Sequence, residues 1–462
     1  MRISVLLALL ALLVAAVSAE SQSPPPPVSD AADPSSSGTT GTEESEYVSW
    51  MADRERGERG HSLSEPKYAN LHDRKLLTPA LTTPDIMFNH DRVADDSPKT
   101  FTQDTLGYVT PWNSRGYEVA TRFRHKLTYI SPVWYQIRKG GESGKKLQLV
   151  GGHNVDKAWL DGLRTPHPNF LDYPPPRIVP RFMFEEMSGQ SVIQLLSSTT
   201  SSNAVAKAIV AEIKKRNYDG LVIDFASMGF RKFSPYPPVY NFLELLSSML
   251  KPLGKVLVLT AMPRRGSASD FDFEELQKLS PFVDKFQLMT YDFSSADRPG
   301  PNAPMPWLHS TLERVMPENQ TLELQNKIFL GVNFYGNDYC DDEKGDFHAS
   351  SLLADEYLKI LELHEPMLEW EEELAEHVLN YMDKRGRHIV FYPTVFSLFR
   401  RLQLAHKQSI GVAFWELGQG LEIFILTIRH PFLFPHQVIC SHSQFDLVSF
   451  HIAGLDFFFD MV

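Results

Sequence analysis

The chain has 462 residues, 43% of them hydrophobic, and a formal net charge of −12. That length exceeds one minimal domain and suits one large barrel with appendages. The negative charge is spread along the chain with no stripe of Lys and Arg, which argues against nucleic acid as a partner, because phosphate binding needs clustered cations.

Arg2, the apolar run Val5 to Val17 and the small-residue pattern Val17-Ser18-Ala19 predict a signal peptide over residues 1–19, with a mature start near Glu20. The run falls short of the roughly 20 residues a spanning helix needs. Leu421 to Phe434 is also apolar, but Arg429 and His430 interrupt it, so no membrane span is expected. The expected location is the secreted fraction or the lumen of the endomembrane system, lysosome or vacuole included. Residues 20–100 read as a disordered or weakly ordered linker. Up to about residue 65 they are rich in Ser, Pro, Gly, Thr and Glu, and from Asp85 to Asp104 they stay polar. Asn319-Gln320-Thr321 is a candidate glycosylation sequon. Cys340 and Cys440 are the two cysteines, and spacing leaves their pairing open.

From Thr105 short apolar runs alternate with helical ones. Strands are predicted at Leu106–Thr110, Leu127–Val133, Ile178–Phe184, Gly220–Phe225, Val256–Met262, Phe286–Tyr291, Ile328–Phe334 and Gly411–Trp415. Several are apolar throughout, as parallel strands covered on both faces are. Ser202 is a candidate cap for a helix whose Val205, Ile209, Val210 and Ile213 share a face. Further helices are predicted around Phe242 to Leu246, Leu353 to Leu361 and Phe396 to His406. This alternation predicts an α/β fold, a (β/α)8 TIM barrel over residues 101–420. A doubly wound sheet shows the same alternation, but no G-x-G-x-x-G fingerprint follows any strand. The connection between strands seven and eight is too long for one helix and predicts a small α+β insertion over about 364–392. Its acidic run from Glu371 to Glu376 reads as a solvated helix face rather than a metal site.

Working residues of such a barrel sit at the carboxyl ends of the strands. Those ends carry Tyr108 and Trp112, Trp134, Asp224, Met289, Tyr291 and Asp292, Tyr335, and Trp415. A ring of aromatics with a few carboxylates suits a pyranose cleft, where flat sugar faces stack on rings and hydroxyls take hydrogen bonds. No cofactor or metal site is visible.

The segment Tyr218-Asp219-Gly220 and the strand ending in Asp224 resemble the family-18 chitinase signature D-G-x-D-x-D-x-E. Met289-Thr290-Tyr291-Asp292, Tyr335-Gly336 and Trp415 are similar to that family's motifs on strands six, seven and eight. The resemblance covers roughly residues 105–420. It implies a barrel that binds oligosaccharide of the chitin type, with Asp224, Tyr291 and Asp292 holding an acetamido sugar and Trp415 as floor. It also implies a general acid two residues after Asp224, where this chain has Ala226, and a further carboxylate where it has Val222. Residues two apart on a strand share a face, so Val222, Asp224 and Ala226 are expected to point together into the barrel. An Ala methyl donates no proton. The expectation is a protein that binds N-acetylated glycan without efficient hydrolysis. Two alternatives stay open: a weakly active glycosidase using Glu185, Glu186 or Asp224, and a scaffold for a receptor or cargo protein. Asp224 and Trp415 each have a purely structural reading as well, as a buried hydrogen-bonded carboxylate and a core ring.

Residues 421–462 read as an atypical tail. A Leu-acid-aromatic ending occurs twice, at Leu421-Glu422-Ile423-Phe424 and at Leu455-Asp456-Phe457-Phe458, with no regular period between. This predicts that 421–454 are inserted sequence, with a genuine tail as the alternative.

Overall fold

The structure, a computed structural model, describes residues 71–429 apart from 73, 94–98, 141–145, 231, 264–269 and 342–346, together with the backbone of 449–452 and 455–458. The chain divides into units at Met1–His61 and Ser62–Val462, and the first lies outside the described residues. The signal peptide, most of the linker, Cys440 and residues 430–448 are outside them too.

Eight parallel strand positions form a ring. They are β1 (Thr105–Val109), the broken pair β2 and β3 (Tyr129–Pro132, Tyr135–Gly140), the broken pair β5 and β6 (Arg177–Ile178, Arg181–Phe184), β7 (Gly220–Asp224), β8 (Val256–Ala261), β9 (Lys285–Leu288), β10 (Ile328–Asn333) and β16 (Gly411–Trp415). Parallel pairing runs β1·β2, β2·β5, β3·β6, β6·β7 and onward through β10·β16 to β16·β1, which closes the barrel. All eight predicted strands are present. Pro180 interrupts the third because it has no N–H to give to the ladder. The second continues past its break into an antiparallel hairpin with β4 (Lys146–Val150), an extension absent from the sequence reading.

Burial on both faces explains the apolar runs. Inward residues, among them Leu106, Tyr108, Val133, Val179, Val222, Val258, Phe329 and Ala413, fill the barrel; outward ones join the larger core beneath the helices. The helix Thr199–Arg216 buries Val205, Ala206, Ile209, Val210 and Ile213 there. Its cap is Ser198, whose hydroxyl accepts from Ser201 N at 3.3 Å, and the predicted cap Ser202 lies one turn inside.

The insertion is larger than predicted. It is an antiparallel sheet of β11 (Gly336–Asp341), β12 (Phe347–Leu352), β13 (Leu368–Glu371), β14 (Glu376–Asp383) and β15 (Gly386–Phe391), in the order β12-β11-β15-β14-β13, with the helix Ala354–His364. The acidic run forms the β13–β14 hairpin rather than a helix face. Glu376 is buried and accepts from Arg401 Nη2 at 2.9 Å. Arg401 also donates to Ala375 O at 2.9 Å and Ala303 O at 2.7 Å, so one guanidinium joins the insertion, the helix Val395–Lys407 and a barrel-mouth loop.

Two predicted boundaries move. Within the expected linker, Thr82 caps a helix at Thr83–Asn89, and Leu71, Leu76, Leu81, Ile86 and Met87 are buried against the barrel. Within the expected insertion, Leu421 to Ile428 pack into the core, and Ile428 O accepts from Thr100 N and Phe101 N at 3.2 and 3.1 Å. Both segments lack a long period because each covers the barrel as an irregular strap, held by a few apolar contacts. The backbone of 449–452 pairs antiparallel with 455–458.

Candidate carbohydrate site at the barrel mouth

The inward faces of β6, β7 and β8 meet at one buried cluster. Asp224, 1% exposed, ends β7. Its Oδ1 accepts from Thr260 Oγ1 at 2.7 Å and from Ser227 N at 3.0 Å; its Oδ2 accepts from Ser227 Oγ at 2.7 Å and from Arg181 Nη2. Burial by itself would raise the Asp224 carboxyl. The Arg181 guanidinium and the Ser227 and Thr260 donors outweigh burial and hold it below the ordinary carboxylate value. The guanidinium also donates to Ser227 Oγ at 3.0 Å and lies over the Trp415 ring, 5.2 Å from its centroid.

Trp415 closes β16 and packs on Tyr108 at 5.1 Å between centroids, partly buried against the inner cluster of the barrel. The Tyr108 hydroxyl donates to Gln287 Oε1 at 3.4 Å, and Gln287 Nε2 donates to the Tyr291 oxygen at 3.5 Å. A Cβ at Gly331 would stand 3.0 Å from the Tyr291 ring and 2.3 Å from Leu288 O; glycine lets strand and ring approach. Met289 is half-buried beside them. The Tyr335 hydroxyl donates to Asp292 Oδ1, and Asp292 N donates to Asn302 Oδ1 at 2.7 Å. This amide acceptor holds Asp292 in the left-handed region, φ +58°. Burial raises the Tyr108, Tyr291 and Tyr335 hydroxyls above the ordinary tyrosine range, so they remain protonated donors.

The structure therefore brings together Tyr108, Asp224, Tyr291, Asp292, Tyr335 and Trp415. Trp112 stands at the rim, 71% exposed, just beyond β1. Trp134 does not belong. It is fully buried in the outer core, packs on Trp159, and donates from Nε1 to the Tyr117 hydroxyl at 2.7 Å. The break between β2 and β3 turns its side chain outward. Ala226 also departs from expectation, because the strand stops at Asp224 and Ala226 opens a 3-10 turn, Ala226–Met228. The residue brought to Asp224 is Ser227. Asn319 is exposed between helices, where a glycan would be accessible.

Arg181, Thr260, Gln287 and Asn302 were missed in the sequence. Their signal was polar residues at inward positions of otherwise apolar strands, except Asn302, which lies in a loop. Glu185 and Glu186 lie beyond β6, both ion-paired to Arg138. Nε of Arg138 is 2.9 Å from Glu185 Oε2, and its Nη1 is 3.2 Å from Glu186 Oε1. One more buried carboxyl, Glu416, accepts from Asn113 Nδ2 at 2.7 Å and Gly418 N at 3.2 Å. It links the rim loop after β1 to the floor strand. Burial pushes this carboxyl up to about 7, against the two donors.

Among the described residues no cluster of His, Cys, Asp and Glu is placed to hold a metal, and no helix is long and apolar enough to cross a membrane. Cys340 is buried on β11.

Known proteins share this barrel. The uncharacterized glycosylase YvbX of Bacillus subtilis is 24% identical over 341 residues, 70% of this chain and 90% of its own. A chitinase from Chromobacterium violaceum has the same fold with a TM-score of 0.56 at 17% identity, over 71% of this chain and 98% of its own. A family-18 chitinase from Cycas revoluta, solved with (GlcNAc)3, matches with a TM-score of 0.54 at 11% identity, over 70% and 98%. The model of the glycosyl hydrolases family 18 matches residues 187–420, just over half of the chain and the part that carries Asp224, Tyr291, Tyr335 and Trp415. With a closed α/β barrel and an aromatic-floored mouth, this chain belongs to glycosyl hydrolase family 18.

Proposed function

We propose that the protein binds N-acetylated oligosaccharide of the chitin type in the barrel mouth and does not hydrolyse it efficiently. The observation that carries this reading is the state of β7 and the turn after it. The family's acid position is Ala226, and the remaining carboxylate, Asp224, is bound by Arg181, Ser227 and Thr260. A group that accepts from four donors and is held ionised has no proton to give a leaving oxygen. Loss of general acid catalysis removes about 100-fold to 10,000-fold in rate. Glu185 and Glu186 support hydrolysis poorly, since both carboxylates are engaged by Arg138. The aromatic floor and the Tyr and Asp side chains at the mouth are groups that hold a pyranose, which supports binding over a bare scaffold role.

Within the family, Leu-Gly-Tyr-Val-Thr-Pro-Trp-Asn at 106–113 and Trp-Glu-Leu-Gly-Gln-Gly at 415–420 resemble chitinase-domain-containing protein 1, and we place the chain in that branch. Processing near Glu20 and delivery to the secretory pathway belong to the same proposal, as does a glycan on Asn319.

The test is calorimetric titration of chitooligosaccharides into wild type and Trp415→Ala, with a parallel hydrolysis assay. Binding weakened by Trp415→Ala, without turnover, is the expected result. Turnover abolished by Glu185→Gln would establish the glycosidase instead. Absence of binding at millimolar ligand would favour a protein-interaction role.

A further inference from the structure

Glu416 follows Trp415 directly, and its buried carboxyl lies against the start of the helix Ser114–Arg122. A Cβ at Gly116 would stand 3.0 Å from Glu416 Oε2, so glycine lets the helix close on the carboxyl. Two neutral donors serve it, Asn113 Nδ2 at 2.7 Å and Gly418 N at 3.2 Å. No cation among the described residues pairs with it. Arg115 on the helix turns to Asp355 Oδ1 at 3.5 Å, and Glu118 is exposed. The titratable residues left on the packed elements are Tyr117 on the helix and Tyr108 on β1, phenols raised by burial and so neutral. A charge on Glu416 is therefore uncompensated, and burial pushes the carboxyl up to about 7.

Its partner Asn113 immediately precedes the helix, yet the Asn113 side chain makes no capping bond; its amide is given to Glu416. The backbone bonds of Asn113 are local, from its N to Thr110 O at 3.1 Å and from Gly116 N to its O at 3.2 Å. The carboxyl thus ties the rim loop that carries the exposed Trp112 to the strand end that carries Trp415.

We propose that Glu416 is a positioning residue for glycan binding: its neutral carboxyl holds the Trp112 loop to the Trp415 strand end, and binding of sugar takes up a proton there. The inference rests on the glycan-binding reading above and adds its regulation. Released into water, the carboxyl returns to an ordinary 4.5; tied, it stands at about 7. Between those values rising pH favours release, and above them the bias levels off. Release displaces Trp112, and apparent affinity falls with the fraction of protein still tied.

The test is calorimetric titration of tri-N-acetylchitotriose into the full chain. This sugar has no group that titrates near neutrality, so protons taken up report the protein. Wild type should bind at least about threefold more tightly near pH 5 than near pH 8. Near pH 6, the binding heat should differ between phosphate and imidazole buffers by an amount equivalent to uptake of about 0.3 proton or more, and near pH 8 it should not. Glu416→Gln keeps an acceptor for Asn113 but cannot ionise, and should abolish both the uptake and the pH dependence. Asn113→Ala cuts the tie, should weaken binding near pH 5 by about threefold or more, and serves if Glu416→Gln does not fold. Binding in wild type without proton uptake overturns the inference while leaving glycan binding in place. Uptake that survives Glu416→Gln or Asn113→Ala overturns the assignment to this pair. Absence of binding at every pH overturns the glycan reading and this inference with it.

Discussion

Glu416→Gln tests the electrostatics of the mouth directly. Glu416 is fully buried, accepts from Asn113 and Gly418, and has its carboxyl pushed up to about 7 from an ordinary 4.5. Unfolded, it loses its proton near 4.5; folded, it keeps the proton to about 7. Between those values the folded state binds more protons, so this group's contribution to stability falls as pH rises through the interval and then levels off. The interval corresponds to about 3 kcal/mol. Gln cannot ionise, and its amide nitrogen cannot accept from Gly418 N, a loss of about 1 kcal/mol. The variant should therefore be about 1 kcal/mol less stable than wild type near pH 4.5 and about 2 kcal/mol more stable at pH 8. Urea unfolding of both proteins at several pH values between 4.5 and 8 reads the difference, with m-values checked for constancy. Other titrating groups cancel in the comparison. Parallel stability curves for the two proteins would refute the reasoning, because the carboxyl would then not titrate differently on folding.

Trp415→Ala should weaken chitooligosaccharide binding several-fold while Trp134→Ala, read by the same calorimetry, should leave the mouth intact and instead cost about 3–5 kcal/mol of stability in urea unfolding. Arg181→Met strands a buried carboxylate and should cost about 3–5 kcal/mol, visible as a fall in Tm. Ala226→Glu should not restore hydrolysis of a chromogenic chitooligosaccharide, since position 226 lies in a buried turn beyond the strand. Truncation after Gly420 removes buried Leu421, Ile423, Phe424, Ile425, Leu426 and Ile428, each worth about 1.5–3 kcal/mol, and circular dichroism should show an unfolded chain. A truncation after Arg429 that unfolds equally would place the essential contacts further along.

The eight strands, their order and the barrel they predict were legible in the sequence because parallel strands buried on both faces must be apolar runs such as Val-Leu-Val-Leu at 256–259. That Ala226 stands two residues after Asp224 was legible as well, since it needs only the sequence. Side-chain direction was not. Ala226 was expected on an inward strand face, but the strand ends at Asp224, and Trp134 turned outward where the second strand breaks; neither stop has a periodic signal. The straps at 71–93 and 421–429 looked like linker and insertion because a segment that covers a core with scattered apolar residues has no repeat to detect. The chemistry of the mouth depends on partners far apart in sequence, Arg181 with Asp224 43 residues on and Glu416 with Asn113 303 residues back. Composition and spacing supplied the groups, but only barrel closure sets a guanidinium against a carboxylate and over the Trp415 ring.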